Sequence, residues 1–142
     1  MSHSDSTAAG RTVFITGAAG GLGRSFALGF AERGDRVAIA DVDLVGLAET
    51  AKLVEAHGVP CWQGRVDVTS PESTAEAAAA VAEFGGGTIE VLINNAALYA
   101  GITRAPIEEL DPDEWDRVMA VNAKGPWLMT RGASPHLATG AR

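Results

Sequence analysis

Gly17, Gly21 and Gly23 follow a β-rich run at 12–16 and precede Phe26, Leu28 and Phe30 at helical spacing. A backbone needs glycine where it turns sharply, approaches a pyrophosphate closely and then lets a helix pack tightly on a strand, and these three stand where those needs arise. A helix running from Leu22 points its free amides and the positive end of its dipole at the phosphates. By itself such a turn is also an ordinary strand-to-helix connection. Asp41 adds a second signal, because it closes the next β-rich run 18 positions after Gly23. There a carboxylate accepts hydrogen bonds from the adenosine ribose of a dinucleotide. A lone acid could equally cap a helix, but the strand end and the distance tie Asp41 to the glycine turn. It repels a 2′-phosphate, and neither Gly20 nor Val42 supplies the cation that NADP requires, so the expected cofactor is NAD.

These residues must be held by alternating elements. The runs at 12–16, 36–40, 60–66 and 90–94 predict strands. Helices are expected between them: one ending at Gly34, one capped by Asp43 and ending at Gly58, and one opened by Ser70 and Pro71 and stopped by Gly85, Gly86 and Gly87. A longer loop at 95–110 leads to a helix opened by Asp111 and Pro112, with Trp115, Val118, Met119 and Val121 on its apolar face. Strands alternating with helices of this length imply an α/β fold of Rossmann type, a doubly wound parallel sheet covered on both faces and truncated after the fourth βα unit. Residues 1–10 read as a disordered tail and 11–142 as one dinucleotide-binding domain.

Composition narrows the function classes. Eighteen acidic against eleven basic side chains give a net charge of −7, which opposes nucleic-acid binding and adsorption to anionic membranes. The one cysteine, Cys61, cannot form an internal disulfide and reads as a small buried hydrophobe, so a cytoplasmic setting is expected. No apolar run approaches the roughly 18 residues that span a bilayer. His3, His57 and His136 are scattered without ligand spacing, so no metal site is expected.

The stretch TGAAGGLG at 16–23, with three residues between Gly17 and Gly21, resembles the short-chain dehydrogenase/reductase family, and three further stretches fit it. DVT at 67–69 follows the third strand, where the family carries an acid beside the adenine. NNAA at 94–97 resembles the family's Asn-Asn-Ala-Gly motif, which stabilises the central sheet and lies along the cofactor. Asn122 stands where the family has the asparagine of its catalytic tetrad. The resemblance implies cofactor contacts from Gly17, Ala19, Gly20, Gly21, Leu22, Gly23, Asp41, Val42, Asp67, Val68, Asn95, Ala96 and Ala97, with Asn122 as the catalytic residue present. Ala97 departs from the motif by one methyl group.

A physical signal accompanies Asn122: Pro126, four residues on, has no amide hydrogen, so the Asn122 carbonyl loses its normal partner and a kink is expected. In the family that carbonyl holds a water of the proton relay. The family's serine, and its tyrosine and lysine four residues apart, belong to later elements, whereas this chain ends at Arg142. Its one tyrosine, Tyr99, is followed four residues on by Thr103. Tyr99 lines the substrate pocket or simply packs; Trp115 and Trp127 lie on the helix that commonly packs between subunits in the family. The resemblance thus implies hydride transfer between NAD(H) and a small alcohol or carbonyl substrate in a homo-oligomer, a dimer or tetramer. The 142 residues alone are expected to be inactive, with 91–93 as an exposed apolar edge. The alternatives are a non-catalytic NAD-binding module or interaction fragment, and a methyltransferase, which leaves the run at 94–97 unexplained.

Overall fold

Four short segments, three of them rich in β-branched residues or alanine, build one parallel sheet in the order β3-β2-β1-β4. The computed structural model describes residues 10–142. Its strands are β1 (Thr12–Thr16), β2 (Arg36–Asp41), β3 (Cys61–Arg65) and β4 (Val91–Ile93). β1 is central and buried along its whole length, with Phe14 opposite Ala38 on one side and Leu92 on the other. The expected tail lies outside the described residues except for Gly10, whose amide donates to the Gly34 carbonyl at 3.2 Å.

Because strand side chains alternate, the sheet has two apolar faces. Val13, Ile15, Val37 and Ile39 pack under α1 (Gly21–Glu32) and α2 (Leu44–Glu55), chiefly against Ala27, Leu47 and Val54. Phe14, Ala38 and Ala40 pack on the other face under α3 (Pro71–Phe84), against Ala78 and Val81, and under Met129 of α5 (Gly125–Ala133). The small side chains of α3 let it lie close to both the sheet and α5. Three helices start as their sequences dictate: Asp43, Ser70 and Asp111 accept from Gly46, Ser73 and Asp113 amides.

Two features depart from expectation. The final helix is not one kinked rod but α4 (Pro112–Met119), a π-helical segment Ala120–Lys124, and α5. Pro126 at the first turn of α5 offers no amide to Asn122, and the chain accommodates the lost bond by widening the helix there rather than by a simple bend. The edge of β4 is also partly covered. Residues 136–142 run beside it, with the Ala138 amide donating to Ile89 O at 2.9 Å, Arg142 to Glu90 O at 3.0 Å and Leu92 to Arg142 O at 2.9 Å. The edge expected to be bare therefore has its own cover as far as Leu92.

Candidate functional site

The carboxyl ends of the strands open onto a cleft of about 480 Å³. Thr16 ends β1 there, Asp41 ends β2, and Val66 and Asn95 follow β3 and β4. In doubly wound sheets this is where ligands bind, since the helix amides and strand ends converge on it.

The glycine turn divides its work among three positions. Gly17 has φ +68°, and a Cβ there would lie 2.8 Å from the Ala96 Cα, so the turn and the segment after β4 touch backbone to backbone. At Gly23 a Cβ would collide with the Gly17 carbonyl and reach 2.7 Å from the Asn95 amide nitrogen. Gly21 is different: it has φ +55°, lines the cleft and has nothing within 4 Å of its missing Cβ. α1 begins after Gly20, which has no side chain to cap it, so the first-turn amides retain their donor capacity toward the cleft.

Asp41 is half-buried at the cleft wall. Its Oδ2 accepts from the Ala19 amide at 2.9 Å and its Oδ1 from the Asp43 amide at 3.0 Å. Each oxygen keeps a lone pair for a further donor. Asp67 accepts from the Thr69 hydroxyl at 2.7 Å and amide at 2.9 Å, all on Oδ1, which leaves Oδ2 to a ligand. Those bonds hold its carboxyl below the usual range. The fourth strand is locked to the turn by Thr16, whose hydroxyl accepts from the Asn95 and Ala96 amides, each at 3.1 Å, and by Asn95 Nδ2, which donates to Gly17 O at 3.0 Å.

Most of the sequence-expected cofactor residues meet here: Gly17, Gly21, Leu22, Asp41, Val42, Asp67, Val68, Asn95, Ala96 and Ala97 line the cleft. Ala19, Gly20 and Gly23 shape the turn without lining it. Asn122 is exposed and does not line the cleft; its side chain clamps the neighbouring loop. Leu98 N–H donates to Asn122 Oδ1 at 2.7 Å, and Asn122 Nδ2 donates to Leu98 O at 3.0 Å. This places Leu98 and Val121 in the cleft wall, two residues that sequence reasoning missed because only the amide pair brings them together. Tyr99 is on the rim and 81% exposed. Cys61 lies away from the cleft on β3, where burial and then Glu55 push its thiol up to about 12. Among the described residues no group of His, Cys, Asp or Glu could hold a metal, and no helix is long and apolar enough to cross a membrane.

A doubly wound parallel sheet with a bare glycine turn, an acid on β2 and a cleft at the strand ends defines a dinucleotide-binding class of protein. The short chain dehydrogenase family model matches residues 11–142, and the chain belongs to that family. It is 35% identical over 133 residues to the sorbitol dehydrogenase of Cereibacter sphaeroides, covering 94% of this chain and 49% of that one. A short-chain dehydrogenase/reductase from Burkholderia phymatum, in complex with NAD, superposes with TM-score 0.82 at 32% identity, over 91% of this chain and 44% of its own. Carveol dehydrogenase from Mycobacterium avium, also in complex with NAD, gives TM-score 0.85 at 27% identity, over 93% and 51%. The chain thus spans about half the length of the curated relatives it matches.

Proposed function

We propose that the cleft binds NAD(H) and that the chain forms the cofactor half of an NAD-dependent oxidoreductase acting on an alcohol or carbonyl compound. The carrying observation is the cleft lining, which holds the carboxylates of Asp41 and Asp67 and, among the described residues, no lysine or arginine. The site fits a dinucleotide: Gly21 leaves space where a side chain would stand, α1 offers uncapped amides, and Asp41 retains acceptor capacity. When bound, the nicotinamide supplies the hydride acceptor or donor. The chain's own residues orient it. Gly21 and Leu22 amides receive the pyrophosphate, Asp41 takes the ribose hydroxyls, Asp67 and Val68 flank the adenine, and Ala96 and Ala97 lie along the cofactor. Asn122 positions Leu98 at the cleft mouth and, through the unpartnered carbonyl imposed by Pro126, offers an acceptor for a water. A small-molecule substrate, a homo-oligomeric state and a cytoplasmic setting complete the proposal.

A second reading, an NAD-binding module without catalysis, rests on the exposed Tyr99, which has Thr103 rather than lysine four residues later and so no adjacent ammonium to help it move a proton. Both readings share the cofactor assignment. Calorimetry with NADH and NADPH tests it: the wild type prefers NADH, and Asp41→Ala loses roughly ten- to a hundred-fold of that preference, the worth of hydrogen bonds to a charged acceptor. A wild type that prefers NADPH overturns the role of Asp41.

A further inference from the structure

Arg24, in the first turn of α1, belongs to none of the expected sites, yet its guanidinium ties the glycine turn to α2. Its Nη2 donates to Ala19 O at 2.7 Å and Gly46 O at 3.2 Å and pairs with Glu49 at 3.2 Å. Its Nε donates to the Thr50 hydroxyl at 2.9 Å. Thr50 is fully buried, and its hydroxyl in turn donates to Ala18 O at 2.8 Å. Two successive carbonyls of the turn are therefore held by side chains from α1 and α2. α2 can come this close because Gly46 is bare; a Cβ there would lie 2.7 Å from Ala19 O.

A trans peptide fixes its C=O and N–H in opposite directions, so holding one end aims the other. The 18–19 peptide is held at both ends, its carbonyl by Thr50 and its amide by Asp41 Oδ2. The 19–20 peptide is held only at its carbonyl, by Arg24, and its Gly20 amide has no acceptor among the described residues. We infer that Arg24 and Thr50 are positioning residues for the dinucleotide. They orient the 19–20 peptide so that the Gly20 amide is left as a donor, and they hold the phosphate turn against α2. This inference rests on the NAD(H) reading above. Nothing in the spacing of Arg24 and Thr50 announces it, because the link runs between helices 26 positions apart.

The test is calorimetric titration with NADH, ADP-ribose and adenosine of the wild type, Arg24→Met, Thr50→Val and the double variant. NADH and ADP-ribose are expected to bind each single variant roughly ten- to a hundred-fold more weakly, the range for losing charge-assisted hydrogen bonds. Adenosine affinity stays within about two-fold, and the double variant is no weaker than the worse single one, because the two side chains act as one unit. Glu49→Gln, which removes only the exposed partner, leaves all three affinities unchanged. Should Arg24→Met fail to fold, Arg24→Lys keeps the stem and charge without the guanidinium fork and must show the same phosphate-confined loss. Variants that bind NADH like the wild type, or that lose all three ligands equally, overturn the brace while the cofactor reading stands. A wild type that binds neither NADH nor ADP-ribose overturns the cofactor reading and the brace with it.

Discussion

Gly21 and Gly23 stand two residues apart and would fail differently. Gly21→Val meets no neighbour but strains a left-handed backbone, at about 1–2 kcal/mol, and fills the cleft with a branched side chain. We expect NADH binding to vanish in calorimetry while the melting temperature falls by no more than about 10 °C. Normal binding by this variant would make the turn structural only. Gly23→Ala, by contrast, drives a methyl into the Gly17 carbonyl and damages the fold itself. Cys61 gives a residue-scale expectation of another kind. With its pKa raised from 9.0 to about 12, the folded state favours the neutral thiol. Its contribution to stability is intact below pH 9 and is lost as pH rises from about 9 to about 12. Cys61 is only partly buried, short of the fully buried hydrophobe its sequence suggested, so at pH 8 iodoacetamide should alkylate it more slowly than free cysteine, and labelling at the free rate would contradict the raised pKa. The glycines and Asp41 were legible in the sequence because one backbone requirement maps to one residue type. Arg24, Thr50 and Leu98 were not, because their partners are set by how helices and loops meet.

At the scale of elements, local signals were read correctly where the chemistry is local. The caps at Asp43, Ser70 and Asp111 need only the next few residues, and each forms as its sequence implies. Pro126 announced a broken bond at Asn122, but its repair as a π turn depends on packing against Leu98 and Val68, which no short window contains. β1 and β2 are joined at their starts by a feature sequence patterning also missed. Asp35 is fully buried and accepts from the Arg11 amide at 3.1 Å, its Nε at 3.4 Å and its Nη2 at 3.2 Å. Arg11→Ala leaves that carboxylate with only the main-chain donor. Urea denaturation should show a loss of about 2 kcal/mol, below the 3–5 kcal/mol of a wholly buried pair because Arg11 is itself partly exposed. A loss under about 0.5 kcal/mol would mean that water already serves Asp35.

The whole molecule has one finished face and one unfinished face. The sheet is covered on both sides, and residues 136–142 pair with the start of β4, yet Trp115 is 65% and Trp127 58% exposed along α4 and α5. Met119 of α4 is 43% exposed as well, so these two helices present large apolar side chains to solvent. The sheet order and the cleft were legible because alternating strands and helices admit few arrangements, whereas the cover on β4 was not, since it comes from residues 136–142 pairing out of any periodic pattern. The cleft at the strand ends is proposed as the NAD(H) site. Its most direct test is a titration of the isotopically labelled protein with NADH, following backbone amide resonances by NMR. Saturable shifts are expected, concentrated at Gly17, Gly20 to Leu22, Asp41, Val42, Asp67, Val68 and Asn95 to Leu98, with NADPH producing them only at higher concentration. Shifts centred elsewhere, or none at millimolar NADH, would contradict it.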